Sequence, residues 1–202
     1  MATRVLTVDP EHPCSEAIET AAAVLRAGGL VAFPTETFYG LGAAASCGPA
    51  LARLLRVKGR PDDKPLLVLV DSIAMAEAVA EIPDAGRVLM ARYWPGALTL
   101  VMRARPAVST LVTAATGTIG VRHSPHRCAS LLVERLGTPV TAPSANRSGA
   151  PPPTTARDVL SGLAAEIDVV LDGGPTPGGQ PSTVLDLTVS PPLVRRQGAV
   201  TL

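Results

Sequence analysis

The sequence has very few aromatic residues: one Trp, two Tyr and two Phe, or 2% of 202 residues. This scarcity excludes a nucleic-acid site built on a row of stacking rings, because such a site needs several aromatic side chains. The hydrophobic content is nevertheless 47%, and it comes mainly from Ala, Val and Leu. We therefore predict a core of small aliphatic side chains, which suits helices packed against a sheet.

Cysteine and long hydrophobic runs are scarce as well. The three cysteines, Cys14, Cys47 and Cys128, are widely spaced and form no Cys-x-x-Cys pair. This pattern excludes a disulfide framework and fits a reducing compartment, in which we expect buried thiols. The N-terminus has no basic segment followed by an apolar run, and no stretch reaches the roughly 18 apolar residues of a membrane span. We expect a soluble, cytoplasmic protein that does not contact a membrane.

Neither sign of charge predominates, since 18 cations and 17 anions give a net charge of +1. The composition therefore gives no general reason to expect a nucleic-acid or membrane partner. Cations do concentrate locally, because both lysines, Lys58 and Lys64, fall in one stretch with Arg53, Arg56 and Arg60. A stretch of this kind is suited to phosphate groups, either those of a nucleotide or those of RNA.

Helical and strand patterns alternate along the chain. The first helix is predicted over 15–26, with Ser15 as its cap and Gly28 and Gly29 after its end, and an apolar strand follows over 30–33. Several connections are too short for parallel crossovers, so we predict a mixed sheet. The expected fold is a single α/β domain over residues 1–202, a twisted mixed β-sheet flanked by helices. Further helices are predicted over 48–59, 71–83, 84–94, 125–137 and 154–163, and strands over 65–70, 97–102, 118–122, 168–172 and 182–187.

Three predicted strands carry a proline followed by a hydroxyl residue at one end. The residues after proline are Thr35, Ser144 and Ser182. Proline removes a backbone donor and favours extended backbone before it, so each strand starts or stops sharply and its hydroxyl has a fixed direction. Ligands of α/β proteins commonly bind in a crevice outside the strand ends. We predict that the three hydroxyls line one such crevice, the alternative being ordinary turns.

The ligand that best fits this combination is a nucleotide. Hydroxyls, backbone N–H groups near helix starts and a cationic stretch are suited to phosphate oxygens. The sequence contains neither GxxxxGK[ST] nor GxGxxG, so the two common phosphate loops are excluded. The glycine-rich stretch over 173–183 could surround a phosphate through backbone contacts.

Other chemistries have less support in the sequence. His123, His126 and Cys128 form a compact cluster, but no second pair of metal ligands accompanies it, so no metal site is expected there. There is no GxSxG motif, and the only other histidine is His12, so a serine or cysteine triad lacks members.

Six segments, in order, resemble the signatures of the Sua5/YrdC/YciO family over nearly the whole chain. They are PTETFYGLG, KGRPDDKPL, TIGVR, APSANRSGAPPPT, GGQPSTVLDL and RRQGAV. The resemblance implies the YrdC-like fold with a concave ligand cleft. It also implies the synthesis of threonylcarbamoyl-AMP and pyrophosphate from L-threonine, bicarbonate and ATP. The product would serve the N6-threonylcarbamoyl modification of adenosine at position 37 of tRNA, through a threonylcarbamoyl transferase complex.

The family signature also implies residue roles at matching positions. Its Lys-x-Arg and Ser-x-Asn elements fall on Lys58, Arg60, Ser144 and Asn146, which would bind the ATP phosphates and act in catalysis. The remaining implied nucleotide contacts are Lys64, Thr118, Pro152 and Arg196. The implied threonine contacts are Thr35, Arg122, Ala142 and Ser182, with Arg122 suited to the carboxylate.

The sequence departs from the family pattern in two places. Many members have Asn-Pro-Leu and then a histidine that touches threonine, whereas this chain has Lys64-Pro65-Leu66 and then Leu69. The departure puts the threonine assignment in question. The chain also ends at Leu202, so we expect the short form without a further C-terminal domain.

The implied mechanism is a displacement at phosphorus. The threonine amine would capture carbon dioxide or bicarbonate, and the carbamate oxygen would attack the α-phosphorus of ATP. No strong base is needed, and Mg²⁺ would be held mainly by the phosphates. Two alternatives stay open. One is a module that binds double-stranded RNA or tRNA without synthase activity. The other is a carbamoyl-adenylate domain of the hydrogenase-maturation type, although the zinc and acylphosphatase-like regions of those proteins are missing.

Overall fold

The computed structural model of the chain describes residues 2–59 and 65–202 and has a mixed α/β architecture. Helices and strands alternate along most of the chain, as predicted. The helices are α1 Ser15–Arg26, α2 Gly48–Lys58, α3 Ile73–Val79, α4 Asp84–Tyr93, α5 Thr110–Thr113, α6 Arg127–Leu136 and α7 Ala156–Leu163. The strands are β1 Arg4–Thr7, β2 Val31–Phe33, β3 Gly40–Gly42, β4 Leu67–Leu69, β5 Ala80–Glu81, β6 Leu98–Ala104, β7 Thr118–Arg122, β8 Val140–Thr141, β9 Val169–Asp172, β10 Thr183–Asp186 and β11 Leu193–Arg196.

The strands form two sheets. The smaller has the order β1-β9-β2-β3, and the larger has the order β11-β10-β6-β7-β4-β8, with β5 paired to β6. Both sheets contain parallel and antiparallel pairs. The mixed pairing predicted from the short connections is therefore confirmed.

The two sheets meet through β8 and the segment that follows it. Isolated bridges join Gly40 to Ser144 and Ala44 to Val140. Pro143 lacks an N–H group, so it cannot donate to a continuous ladder, although its carbonyl accepts from Leu41 N at 2.8 Å. The proline that was expected to end this strand thus lies where one sheet passes into the other.

The helix ends follow the expected local chemistry, with one exception. α2 has Pro49 in its first turn and ends at Gly59, whose φ of 57° is in the left-handed region. α7 begins with a capping box between Thr155 and Asp158. The predicted cap of α1 is wrong: Ser15 is the first helical residue, and the capping position is Cys14, which makes no side-chain cap.

Five elements of the described chain were not predicted. They are the strands β1, β3, β5 and β11 and the one-turn helix α5. β11 is exposed at all four positions, so it carries none of the apolar alternation by which strands are recognised. The helix predicted over 71–83 is also shorter than expected, because the chain becomes extended at Ala80 and pairs with β6.

The core consists mainly of small aliphatic side chains, as the composition predicts. One cluster includes Leu41, Leu54 and Leu100, and a second joins α1 and α6 to the smaller sheet. The thiols are divided, since Cys128 is buried as expected but Cys14 is exposed. Within residues 2–59 and 65–202, no helix is both long enough and apolar enough to cross a bilayer.

Candidate active site

One large cavity, with a volume of about 1240 Å³, opens over the larger sheet. Its floor consists of alternate residues of adjacent strands, since side chains on a strand alternate between its faces. The site is therefore a sheet face with walls from loops, rather than only the crevice at strand ends that we predicted. The floor residues are Thr99 and Val101 of β6, Thr118, Gly120 and Arg122 of β7, and Val184 and Asp186 of β10, with Ser182 just before that strand.

The three hydroxyl residues that follow prolines all line this cavity. Thr35 is buried, and its Oγ1 donates to Phe38 O at 2.7 Å while accepting from Thr37 N at 3.2 Å. Those bonds close the turn after β2. Ser144 follows β8, and Ser182 precedes β10. The structure brings together the strand ends that the sequence singled out.

Lys58 lies behind the wall that contains Ser144 and Asn146. The residue is only 3% exposed, and Nζ donates to Ser144 O at 2.5 Å and to Asn146 O at 2.7 Å. The last turn of α2 thereby positions this wall and brings a positive charge beneath it. Arg60 and Lys64, the other predicted cations of this segment, lie outside the described residues.

Asn146 presents an unpaired acceptor at this wall. Its Nδ2 donates to Ala150 O at 2.5 Å and Arg147 O at 3.1 Å, whereas the buried Oδ1 has no hydrogen-bond partner. Phosphate oxygens carry no protons, so this Oδ1 matches a hydroxyl or amino donor better than a phosphate. Pro152 and Thr118, two further predicted nucleotide contacts, line the same cavity.

Arg122 is a buried cation that lines the cavity. It is 3% exposed, and its Nε lies 3.3 Å from Glu36 Oε1 in an ion pair, but the two atoms are not aligned for a hydrogen bond. Ser124 Oγ donates to the other oxygen of Glu36. Burial lowers the pKa of Arg122, and the charge of Glu36 opposes this effect. A guanidinium stays charged at neutral pH, so the cavity contains a fixed positive charge.

Arg196 supplies a second guanidinium from the edge strand β11. Its Nη2 donates to Ser182 O at 2.9 Å and to Ser182 Oγ at 3.1 Å, and its Nε also donates to Ser182 O, at 3.1 Å. Burial of the guanidinium, and then the charge of Arg122, lower the pKa of Arg196. Two cations that repel each other across a cavity favour an anionic ligand.

The neighbouring Arg195 is neutralised by a carboxylate. Its Nη2 and Nε lie 2.8 and 3.0 Å from Asp186 Oδ2, and Asp186 Oδ1 accepts from Thr188 N and Oγ1 at 2.8 and 2.6 Å. Burial alone would raise the pKa of Asp186, but these hydrogen bonds outweigh that effect, so the pKa is lowered overall. Of the two adjacent arginines, Arg196 is the one without a carboxylate partner among the described residues.

The histidine cluster has a structural role. His126 Nδ1 accepts from Cys128 N at 3.3 Å and so caps α6. Burial lowers the pKa of His126 and raises the pKa of the Cys128 thiol to about 11. In the part of the chain that the structure describes, no three His, Cys, Asp or Glu side chains come together as metal ligands.

The sequence profile of the Sua5/YciO/YrdC family, described as telomere recombination, matches residues 23–198. The chain belongs to this family. It is 44% identical over 186 residues to the threonylcarbamoyl-AMP synthase of Pyrococcus abyssi and 44% identical over 186 residues to that of Bacillus subtilis. These alignments cover 92% and 91% of the chain but only 55% and 54% of the relatives, so the chain spans about half their length.

The fold of this Sua5/YciO/YrdC family member is close to that of a solved relative. The crystal structure of P. abyssi Sua5 complexed with L-threonine matches with a TM-score of 0.94 and 43% sequence identity. The match covers 97% of this chain and 58% of the other. The fold predicted from the six sequence segments is thus confirmed.

The family histidine position is occupied here by Leu69, which is part of the core. Leu69 is 1% exposed and packs with residues of α1 and α6. Although it pairs with Arg122 in strand register, the residue of β4 that lines the cavity is Leu67. The departure therefore places an apolar side chain beside Arg122, without adding a polar group to the cavity.

Sequence reasoning did not assign several residues of the site. Glu36, the carboxylate directly after Thr35, has no predicted role. Asp186 lies in the family segment GGQPSTVLDL and Arg195 in RRQGAV, but neither has a predicted role. Thr99 lies in a strand that was predicted from its apolar residues alone. Ala142, predicted to contact threonine, lines the cavity directly after the end of β8.

Proposed function

We propose that this chain is an L-threonylcarbamoyladenylate synthase, a nucleotidyltransferase that forms threonylcarbamoyl-AMP and pyrophosphate from L-threonine, bicarbonate and ATP. The observation that supports it most is the convergence of Arg122 and Arg196 on one cavity with the strand-end hydroxyls. An amino-acid carboxylate and a triphosphate are the anions that this reaction must hold together. The activity named for relatives of 44% identity supports the same assignment.

The size of the cavity suits two substrates bound side by side. A site for one small molecule occupies roughly 300–1,000 Å³, whereas this cavity has a volume of about 1240 Å³. Threonine is assigned to the region of Thr35, Arg122, Ala142 and Ser182. ATP is assigned to the region of Thr118, Ser144, Asn146, Pro152 and Arg196, with Lys58 behind the wall and Arg60 and Lys64 as further proposed contacts.

The chemistry consists of two bond-forming steps. The neutral amine nitrogen of threonine forms a bond to the carbon of bicarbonate, from which water leaves, or to that of carbon dioxide, with release of one proton from the nitrogen; either route gives a carbamate anion. A carbamate oxygen then forms a bond to the α-phosphorus of ATP, and the bond to the bridging oxygen breaks so that pyrophosphate leaves with the electron pair. The protein holds the two anions in line, since alignment and preorganised charge can lower such a barrier by about 7–11 kcal/mol.

Mg²⁺ belongs to the substrate in this proposal. Asp186, the carboxylate among the described cavity-lining residues, has both oxygens engaged by Arg195 and Thr188. The described donor set therefore does not fit a resident metal ion. Mg²⁺ would enter with ATP, bound to its phosphates, as is usual for this ion.

The proposed product passes to a threonylcarbamoyl transferase complex that modifies position 37 of tRNA in the cytoplasm. Binding of double-stranded RNA by the cationic stretch has less support. Arg53 forms an ion pair with Asp168 at 2.6 Å, and Lys58 is buried behind the cavity wall. Two of the three described cations of that stretch thus bind within the protein.

The decisive experiment measures pyrophosphate release by purified protein with ATP, bicarbonate and one amino acid at a time. Threonine should support release, and omission of bicarbonate should abolish it. Mass spectrometry should detect threonylcarbamoyl-AMP. Release that depends on another amino acid, or binding of RNA without any turnover, would contradict the proposal.

A further inference from the structure

Two hydroxyl groups share one hydrogen bond on the floor of the cavity. Thr99 of β6 and Ser182 before β10 are 3% and 1% exposed, and their hydroxyl oxygens lie 2.9 Å apart. Both residues line the cavity. Arg196 Nη2 donates to the same Ser182 oxygen at 3.1 Å.

A count of protons shows what this pair offers to a ligand. Each hydroxyl carries one proton and can accept two hydrogen bonds. The pair holds two protons, and the bond between the oxygens uses one of them. Since neither hydroxyl donates to another described residue, one proton is left for an acceptor in the cavity. An oxygen without a proton of its own, as in a carboxylate, carbamate or phosphate, is such an acceptor.

The packing of Thr99 fixes the place of its hydroxyl oxygen. Its methyl group, Cγ2, lies 3.4 Å from the place that a Cβ on Gly120 would take, so the methyl occupies the space above that glycine. A β-branched side chain fixed in this way keeps one rotamer, with its hydroxyl against Ser182. Arg196 already fills one acceptor position of the Ser182 oxygen, and the other is open to the proton of Thr99.

We infer that Thr99 is a positioning residue, which donates to Ser182 and thereby directs the Ser182 proton to an anionic oxygen of the ligand. The inference rests on the proposed function for the identity of that ligand. Ser182 belongs to the proposed threonine region and Arg196 to the proposed ATP region, and their contact marks where the two regions meet. The carbamate of threonine is the anion expected at this junction.

The test compares two substitutions of Thr99 that differ in one hydroxyl group. Thr99→Val keeps the methyl over Gly120 and removes the hydroxyl, so kcat/KM for threonine should fall about 10- to 100-fold while KM for ATP stays unchanged. Thr99→Ser keeps the hydroxyl and should recover most of the loss. The inference would be overturned if Thr99→Val left kcat/KM for threonine unchanged. It would also be overturned if Thr99→Ser lowered kcat/KM as much as Thr99→Val does.

A double-mutant cycle tests whether Thr99 acts through Ser182. The double variant Thr99→Val, Ser182→Ala should be no more impaired than Ser182→Ala alone, because the group that Thr99 orients is then missing. Additive losses would contradict the inference. If Thr99→Val does not fold, Thr99→Ala removes the same hydroxyl without a second methyl and replaces it in the cycle.

Matched controls separate this inference from the proposed function. Thr113→Val alters a buried threonine that does not line the cavity and whose hydroxyl makes only a 3.5 Å contact, so its turnover should equal that of the wild type. Wild-type turnover reports on the proposed function, and the ratio of variant to wild type reports on Thr99. A wild type that turns over beside an equally active Thr99→Val protein would overturn only the role of Thr99.

Discussion

The two guanidiniums of the cavity are held in opposite ways. Arg122 is on a central strand with 4% of its side chain exposed, and it faces the carboxylate of Glu36. Arg196 is on an exposed edge strand and is held by the carbonyl and hydroxyl oxygens of Ser182. The first cation has a countercharge within the protein, whereas the second has none among the described residues and depends on a ligand for one. The comparison indicates that Arg122 contributes to the fold as well as to the site, and Arg196 mainly to binding.

The largest expected effect follows from removal of the countercharge of Arg122. Glu36→Gln leaves a buried guanidinium that cannot lose its proton, so the free energy of unfolding should fall by about 3–5 kcal/mol. Chemical denaturation measures this fall. An anionic ligand of the cavity should restore part of it. Glu77→Gln, which breaks an exposed pair with Arg87, is the control and should change stability little. Equal free energies of unfolding for Glu36→Gln and Glu77→Gln would contradict the structural role of the buried pair.

The next effect concerns Arg196, the cation on the edge strand. Arg196→Ala should raise KM for ATP about 10- to 100-fold, because a charge-assisted contact to phosphate is lost. The free energy of unfolding should change by less than about 1 kcal/mol, since the residue is on an exposed strand. Steady-state kinetics and a denaturation curve on the same preparation measure both quantities. A large loss of stability with unchanged KM would reverse the roles of the two arginines.

A smaller effect is expected when the family histidine is restored beside Arg122. Leu69→His places an imidazole in an apolar cluster, which should cost about 1–3 kcal/mol of unfolding free energy. Denaturation with urea measures it, and Leu69→Met is the volume-matched control with a smaller expected cost. A more stable Leu69→His protein would show that the position accommodates a polar group after all.

The smallest effect concerns the ion pair between Asp186 and Arg195, two residues that line the cavity. The pKa of Asp186 is lowered in the folded protein, so its contribution is present above the ordinary value of about 3.9 and disappears as the pH falls through the lower folded value. Asp186→Asn should therefore lose about 1 kcal/mol at pH 7, a small amount because Arg195 is half exposed and screened by solvent. The difference from wild type should begin to shrink below about pH 4 and should vanish only in melts below the lower folded pKa. A difference that persists there would show that charge is not its cause.

The sequence was informative about this site wherever local chemistry decides structure. Proline before a hydroxyl residue marks a strand end, and the residues so marked, Thr35, Ser144 and Ser182, do share one cavity. Helix ends such as Gly59 were predictable for the same reason, because a left-handed residue needs no distant partner.

Pairings between distant parts of the chain were not predictable in this way. Thr99 and Ser182 are 83 residues apart along the chain. They come together because β6 and β10 are parallel neighbours in the sheet. Local periodicity contains no information on which strands pair or in what register. The same holds for Lys58, whose position beneath the wall depends on how α2 packs against the segment after β8.

The cavity takes its walls from both sheets, and this has a consequence for the folded protein as a whole. Thr35 and Tyr39 belong to the segment between two strands of the smaller sheet, while Arg122 and Ser182 belong to the larger one. A molecule that touches both acts as a clamp between them and binds only the folded chain. Saturating substrate should therefore raise the melting temperature and slow amide hydrogen exchange in both sheets together.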